Sequence, residues 1–316
     1  MAEHDDHDHH GHHHGTSAGH THAPAPKDFG TAFAIGTALN LGFVITEAVY
    51  GLLANSMALV ADAGHNLGDV LGLVMAWTAT VLARRAPSQT YTYGLRRGTI
   101  LAALANAMLL LVTVGAIAVE GVRRLIEPSD VASVTVMVVA AIGVVINGVT
   151  AWLFASGRKG DINVRAAFVH MAYDALVSVG VVAAGGVILL TGWTRLDPLA
   201  SLVIAGVILA GTWSLLRDSV GMSLDAVPAG INPDEVDAFL KAQPGVAAIH
   251  DLHIWPMSTS DTALTCHCLM PGGHPGDEFL VHLAHHLHER FHIGHVTIQV
   301  EVDEHIACAL EPAHEI

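Results

Sequence analysis

Cysteine is scarce in this chain: Cys266, Cys268 and Cys308 are the only three, odd in number and late in the sequence, so no disulfide framework is implied. The part that carries them belongs in a reducing compartment. Charge is scarce as well. Charged residues make up 14% of 316 positions, against roughly 25% in a soluble domain. Basic residues are the rarer sign, 14 Lys and Arg against 29 Asp and Glu, for a formal net charge of −15. The imbalance is concentrated at one end, because from Asp218 onward fifteen acids face only Lys241 and Arg290, a net of −13. Such a domain excludes nucleic acid as a partner, since phosphates demand a basic surface, and suits cations instead. What remains is 52% hydrophobic, with a mean hydropathy of +0.49. That profile places the chain in a lipid bilayer.

The apolar residues are not spread evenly. Six stretches follow one another from Phe29, at about 29–53, 56–82, 95–122, 132–156, 165–191 and 196–216. Each reaches the roughly 20 residues that a spanning helix needs, with short connections between them. The expectation is an all-α, six-helix transmembrane domain over 29–217, with both termini on one side. Lys27, Arg84, Arg85, Arg96, Arg97, Arg158, Lys159, Arg165 and Arg217 fall on the face shared with the termini, and only Arg123, Arg124 and Arg195 on the other. By the positive-inside bias the termini are cytoplasmic, in a multi-pass protein of the cell (inner) membrane.

Two of the apolar stretches carry the same pattern, His65-x-x-x-Asp69 and His170-x-x-x-Asp174. Positions four apart on a helix stand one turn above each other on one face, so each span offers an imidazole beside a carboxylate. An ionisable residue at the bilayer centre costs roughly 2.5–3.5 kcal/mol even on lenient scales. A lone His in an apolar helix is usually a packing residue with a hydrogen-bond partner. The repetition of the pair at one spacing argues for ligands instead: two nitrogens and two carboxylate oxygens suit tetrahedral zinc. Asp62, one turn before His65, is expected to support the site from just outside the ligand set. Asn40, Glu47, Asn106 and Asn147 are further polar residues within the spans. Gly64, Gly68 and Gly72 form a smooth ridge where a neighbouring helix can come close, which would help a metal bridge two helices.

The ends differ from the middle. Residues 1–28 hold nine His among Asp, Gly and Pro, a disordered tract able to hold metal weakly, without the apolar core and cleavage site of a signal peptide. Residues 218–305 read as a soluble domain of order αββαβ: a helix from Pro233 to about Gln243, strands at 247–255 and 262–270, a helix at 278–291 and a strand at 295–302. A tail, 306–316, follows. Strand alternation turns His267 to one face and Cys266 and Cys268 to the other. His250, His267 and Glu301 lie on the three expected strands, where they converge on a second metal site or stand as surface residues. His282, His285 and His286 share a helix face. Cys308, with no partner cysteine near it, is only a weak signal of a thiolate ligand.

The segments SMALVADAGHNLGD, HMAYDALVSVG, IHDLHIW and HVTIQVE together resemble the cation diffusion facilitator family, in its zinc-exporting branch, over about 29–305. The resemblance implies six transmembrane helices and a cytoplasmic α+β domain of metallochaperone-like, ferredoxin-like fold. It also implies a homodimer that is not an enzyme and has no prosthetic group, with Zn2+ as cargo and as regulatory ion, exchanged for protons (H+) across the bilayer. By motif position it places a transport site on His65, Asp69, His170 and Asp174, and a cytoplasmic site on His250, His267 and Glu301. The loop RRAPSQTYTYGLRR offers no His or acid, so no further metal site is expected there. A membrane metal sensor is an alternative that sequence discriminates poorly. An intramembrane metalloenzyme is a weaker one, for want of an H-E-x-x-H motif or an activated nucleophile.

Overall fold

The structure, a computed structural model, describes residues 31–155, 162–303, 305 and 308, and the side chains of 31–40, 153–155 and 162–167 are not among those described. The His-rich segment 1–28, Arg158, Lys159, the side chains of Asn40 and Arg165, and most of 306–316 therefore lie outside the described residues. Six long helices come first: α1 (Thr31–Leu53), α2 (Met57–Ala83), α3 (Gly98–Ile126), α4 (Ser133–Ala155), α5 (Ile162–Thr191) and α6 (Leu196–Ser223). Helices α2 to α6 each carry a stretch long and apolar enough to cross a membrane. In α1 the stretch with described side chains, Leu41–Leu53, is shorter. α4 packs along α5, and α3 along α6, while α2 and α5 meet only over a short stretch. Phe43, Leu59, Val114, Val136, Val181 and Ile204 lie in the core that these helices share.

The glycine ridge of α2 behaves differently from the expectation in one respect. A Cβ on Gly64 would come 3.2 Å from Thr113, one on Gly72 2.7 Å from Asn106, and one on Gly68 would collide with Leu110. All three neighbours are on α3. The close approach exists, but it fastens α2 to α3 rather than to α5, the helix that carries the second His-x-x-x-Asp pair. The reason is angular: Gly64 and Gly68 each stand about 100° round α2 from the residue that follows, His65 and Asp69.

At the end of the bundle away from the sheet domain, one buried acid holds two helices together. Asp197, in the first turn of α6, is buried and accepts hydrogen bonds from the Ser56 hydroxyl and, at 2.6 Å, from the Met57 amide at the start of α2. Ser56 in turn accepts from Leu59 N at 3.3 Å as the N-cap of α2. Asn55, at φ +56°, turns the chain into that cap. Its carbonyl accepts from Arg124 Nη1 at 2.7 Å, and its side-chain amide donates to Asp130 O at 3.0 Å. Helix amides left without acceptors in an apolar surround are costly. Asp197→Ala should therefore destabilise the bundle by about 1–3 kcal/mol. Thermal unfolding of the detergent-solubilised chain checks this, and a wild-type midpoint would contradict it.

Beyond α6 come α7 (Pro233–Lys241), β1 (Ala248–Pro256), β2 (Thr262–Leu269), α8 (Asp277–Phe291) and β3 (Ile293–Glu301), in the expected αββαβ order. Asn232 caps α7 through Asp234 N at 3.1 Å, with Asp234 and Glu235 in the first turn where the helix dipole favours acids. The sheet order is β1-β2-β3, antiparallel between β1 and β2 and parallel between β2 and β3. Val236, Leu240, Leu264, Cys266, Leu283, Leu287 and Ile293 form the core between helices and sheet. Alternation then leaves His267 on the opposite face. Burial pushes the Cys266 thiol up to about 12, so it serves as an apolar filler. Arg97 pairs with Asp225, Arg96 with Asp261 at 3.6 Å, and Thr259 N donates to Thr99 Oγ1 at 3.1 Å. The connection between α2 and α3 is thus bonded to the sheet domain.

Candidate metal-transport site

The short stretch where α2 meets α5 is where the two His-x-x-x-Asp pairs face each other. His65 Nε2 lies 3.6 Å from Asp69 Oδ2 and 3.9 Å from Asp174 Oδ1. His170 Nε2 lies 3.4 Å from Asp69 Oδ2 and 3.5 Å from Asp174 Oδ2. Each imidazole thus reaches a carboxylate on both helices, and the rings stand edge-on with centroids 6.2 Å apart. A tetrahedron with metal–ligand distances of about 2.0–2.1 Å has edges of roughly 3.3 Å, so small inward shifts would bring these donors onto one zinc. Asp69 Oδ2, both oxygens of Asp174 and His65 Nδ1 are buried and make no hydrogen bond among the described residues. Such atoms are expensive unless a cation shares them.

Exposure is graded across the site. His170, toward the sheet-domain end of α5, is 42% exposed, Asp69 and His65 of α2 are 22% and 19% exposed, and Asp174 is 1% exposed. Asp62 lies three residues before His65 but directs its carboxylate elsewhere: it hydrogen-bonds with Glu47 of α1 and accepts from Ser178 Oγ of α5 at 3.5 Å. Ser178 is one turn beyond Asp174, so Asp62 reaches the ligand-bearing helix through a hydroxyl.

In the sheet domain, β-pairing sets His250 opposite His267, and His267 opposite Gln299, with Glu301 two positions farther along β3. Glu301 Oε1 is 2.9 Å from His267 Nδ1, and its Oε2 is 3.4 Å from His250 Nε2. Cys308 Sγ lies 3.3 Å from His267 Nδ1. One donor atom from each of His250, His267, Glu301 and Cys308 falls within 4.8 Å of the other three. Burial works against the Glu301 carboxylate, but the Cys308 thiol, His250, His267 and Gln299 together outweigh it and hold its pKa below the usual range. Its charged form, the one a metal needs, is favoured. His250 Nε2 is buried without a hydrogen bond among the described residues, which fits a nitrogen–nitrogen–oxygen–sulfur zinc set.

Sequence reasoning undervalued Cys308, because it lies seven positions beyond β3, where no strand or helix period places it against His267. It also passed over Asp251, whose Oδ2 lies 3.7 Å from His267 Nε2 across an irregularity in β1 where Asp251 itself has φ +51°. The α8 histidines form no metal-sized cluster among the described residues: His282 and His285 stand exposed beside Glu278 and Glu289.

Comparison with known proteins matches the same two parts. Residues 33–222 match the cation efflux transmembrane domain, and residues 228–303 the cytoplasmic domain of cation efflux proteins. The chain is 35% identical over 290 residues to the zinc transporter ZitB of Escherichia coli (strain K12), covering 90% of this chain and 92% of that one. It is 36% identical over 286 residues to the metal cation efflux system protein CzcD of Cupriavidus metallidurans, covering 90% of each. To the cadmium, cobalt and zinc/H(+)-K(+) antiporter of Bacillus subtilis (strain 168) it is 35% identical over 269 residues, covering 84% of this chain and 86% of that one. The solved metal-bound C-terminal domain of the CzcD transporter is 39% identical, covering 22% of this chain and 99% of that domain, with a TM-score of 0.21. These relatives are named as transporters, not enzymes. The chain belongs to the cation diffusion facilitator family of multi-pass membrane transporters.

Proposed function

We propose that this protein moves Zn2+ out of the cytoplasm in exchange for protons, with His65, Asp69, His170 and Asp174 as the ligands that carry the ion. The observation behind this reading is the set of four inter-residue distances between 3.4 and 3.9 Å around buried carboxylate oxygens that have no hydrogen-bond partner among the described residues. Zinc binds neutral imidazole and ionised carboxylate, so loading expels protons and protonation expels metal. Histidine, with a reference pKa of about 6.5, makes that competition effective near neutrality. The sparse packing between α2 and α5 supports release, because a small relative movement separates the two halves of the ligand set. The greater exposure of His170 than of Asp174, one turn farther along α5, supports loading from the end that bears the sheet domain.

Orientation follows the basic residues: both termini and the sheet domain are placed in the cytoplasm. Division of the chain into a tail at 1–28, a transmembrane domain at 29–217 and a cytoplasmic domain at 218–305 belongs to the same reading. The match to the dimer-forming cytoplasmic domain of the family supports a homodimer. Zinc, where bound by His250, His267, Glu301 and Cys308, would supply positive charge that offsets the repulsion between two acidic domains. His250→Ala with Cys308→Ser should remove one bound zinc per chain while transport at saturating zinc persists. Metal analysis of the purified full-length variant checks it, and an unchanged zinc content would place the ion elsewhere.

Everted membrane vesicles test the function itself. With the interior acidified they should accumulate zinc, and collapsing the pH gradient should stop it. Accumulation indifferent to the gradient would contradict the exchange.

A further inference from the structure

Beside the four ligands, and not among them, lies a second pair of intramembrane acids. Glu47 of α1 and Asp62 of α2 are 0% and 2% exposed, and their side chains are hydrogen-bonded to one another. Among the described residues the only other donors they meet are neutral: Asn66 Nδ2, 3.4 Å from Glu47 Oε2, and Ser178 Oγ, 3.5 Å from Asp62 Oδ2. Glu47 Oε1 and Asp62 Oδ1 are buried and accept nothing among the described residues. No lysine or arginine pairs with either acid among the described residues. Of the helices packed here, α2 also presents His65 and α5 presents Asp174, while α4 holds no titratable residue in Ser133–Ala155.

An ionised carboxylate only accepts hydrogen bonds, so two carboxyls bonded to each other require a proton between them. Two like charges that close in an apolar medium, with no cation, cannot both persist. Asp62 is one turn from His65, and Ser178 one turn from Asp174, so a dication on the four ligands would act on this proton through a medium that screens little.

We propose that Glu47 and Asp62 form a proton-binding pair, which shares one proton when the four-ligand site is free of metal and gives it up when a dication arrives. The positive charge of the metal then replaces that of the proton, and the proton leaves to water. This deepens the zinc-for-proton exchange given above and rests on it: the exchanged proton is held next to the metal ligands as well as on them. Asn66 and Ser178 position the two carboxyls.

The test is proton release on zinc binding, measured with a pH indicator in weakly buffered, detergent-solubilised full-length protein. Glu47→Gln and Asp62→Asn should each bind zinc and release about one proton fewer per zinc than wild type at the same pH. Wild-type release in both variants would overturn the pair and leave the exchange standing. Zinc flux through wild-type proteoliposomes without proton counterflow would instead overturn the exchange, and the pair with it. Should neither variant fold, the unmodified chain still decides. Its infrared difference spectrum on zinc addition should lose a protonated-carboxyl band that shifts when the glutamates are carbon-13 labelled, and a spectrum without such a loss would overturn the proposal.

Discussion

Asp174→Asn should abolish zinc transport while leaving a folded, membrane-inserted protein. Asp174 is almost wholly buried, both of its oxygens lack hydrogen-bond donors among the described residues, and His65 and His170 approach it at 3.9 and 3.5 Å. Asparagine keeps the size and removes the charge that offsets a dication in a medium of low polarity. Altering a residue that merely supports a ligand costs about 10–100-fold in metal affinity, so removing a ligand's charge should cost at least about a hundredfold. The folded state should not suffer, since among the described residues no ion pair with Lys or Arg is broken, and a neutral amide is cheaper to bury than a carboxylate. Zinc uptake into proteoliposomes, with insertion checked by protease protection, measures it. Wild-type flux from a correctly inserted variant would remove Asp174 from the site.

His65→Asp should change what is carried and not only how fast. The substitution replaces a fixed nitrogen donor with a carboxylate that can bind through one oxygen or two, in a site that then holds three acids and one His. Carboxylates raise the coordination number, and oxygen donors suit larger or harder ions such as manganese. Preference for zinc over cadmium or manganese should fall by on the order of tenfold, equivalent to about 1.4 kcal/mol. Proton competition should weaken as well. Imidazole, with a reference pKa of about 6.5, competes for protons near neutrality, whereas a carboxyl, with a reference of about 3.9, competes at lower pH. Zinc binding by wild type is therefore expected to fall away as pH drops from 7 to 6, and to hold up better in the variant. Competitive uptake of zinc, cadmium and manganese across a pH series measures both effects. An unchanged preference with an unchanged pH profile would make His65 a packing residue.

Much of the candidate site's geometry was legible in the residues because the helix itself fixes it. A four-residue spacing states that His65 and Asp69 share a face, and burying two such pairs in apolar spans is too costly to be incidental. Strand alternation told equally well that His267 turns away from Cys266 and Cys268. What the residues could not give was the partner of each face. The glycine ridge announced a close neighbour but not that it was α3. Asp62 was read by its distance along the chain from His65, whereas its carboxylate turns to Glu47, a residue of another helix that no spacing connects with it. Cys308 joins His250, His267 and Glu301 from seven positions beyond the last strand, where neither the helical nor the strand period applies. Asp197, well over a hundred positions from the α2 cap it completes, shows the same limit: periodicity reads one element at a time, and tertiary pairing lies between elements.

The identity of the four ligands is tested most directly by X-ray absorption at the zinc edge. The full-length background should carry a deletion of residues 1–26 together with His250→Ala, His267→Ala and Cys308→Ser, so that zinc on the tail or on the sheet domain does not contribute. One zinc per chain is then expected, with four nitrogen and oxygen neighbours at about 2.0 Å and the outer-shell signature of two imidazoles. That signature should lose one imidazole in His170→Ala. A spectrum with sulfur neighbours, with six water-like oxygens, or with no change on His170→Ala would contradict the account.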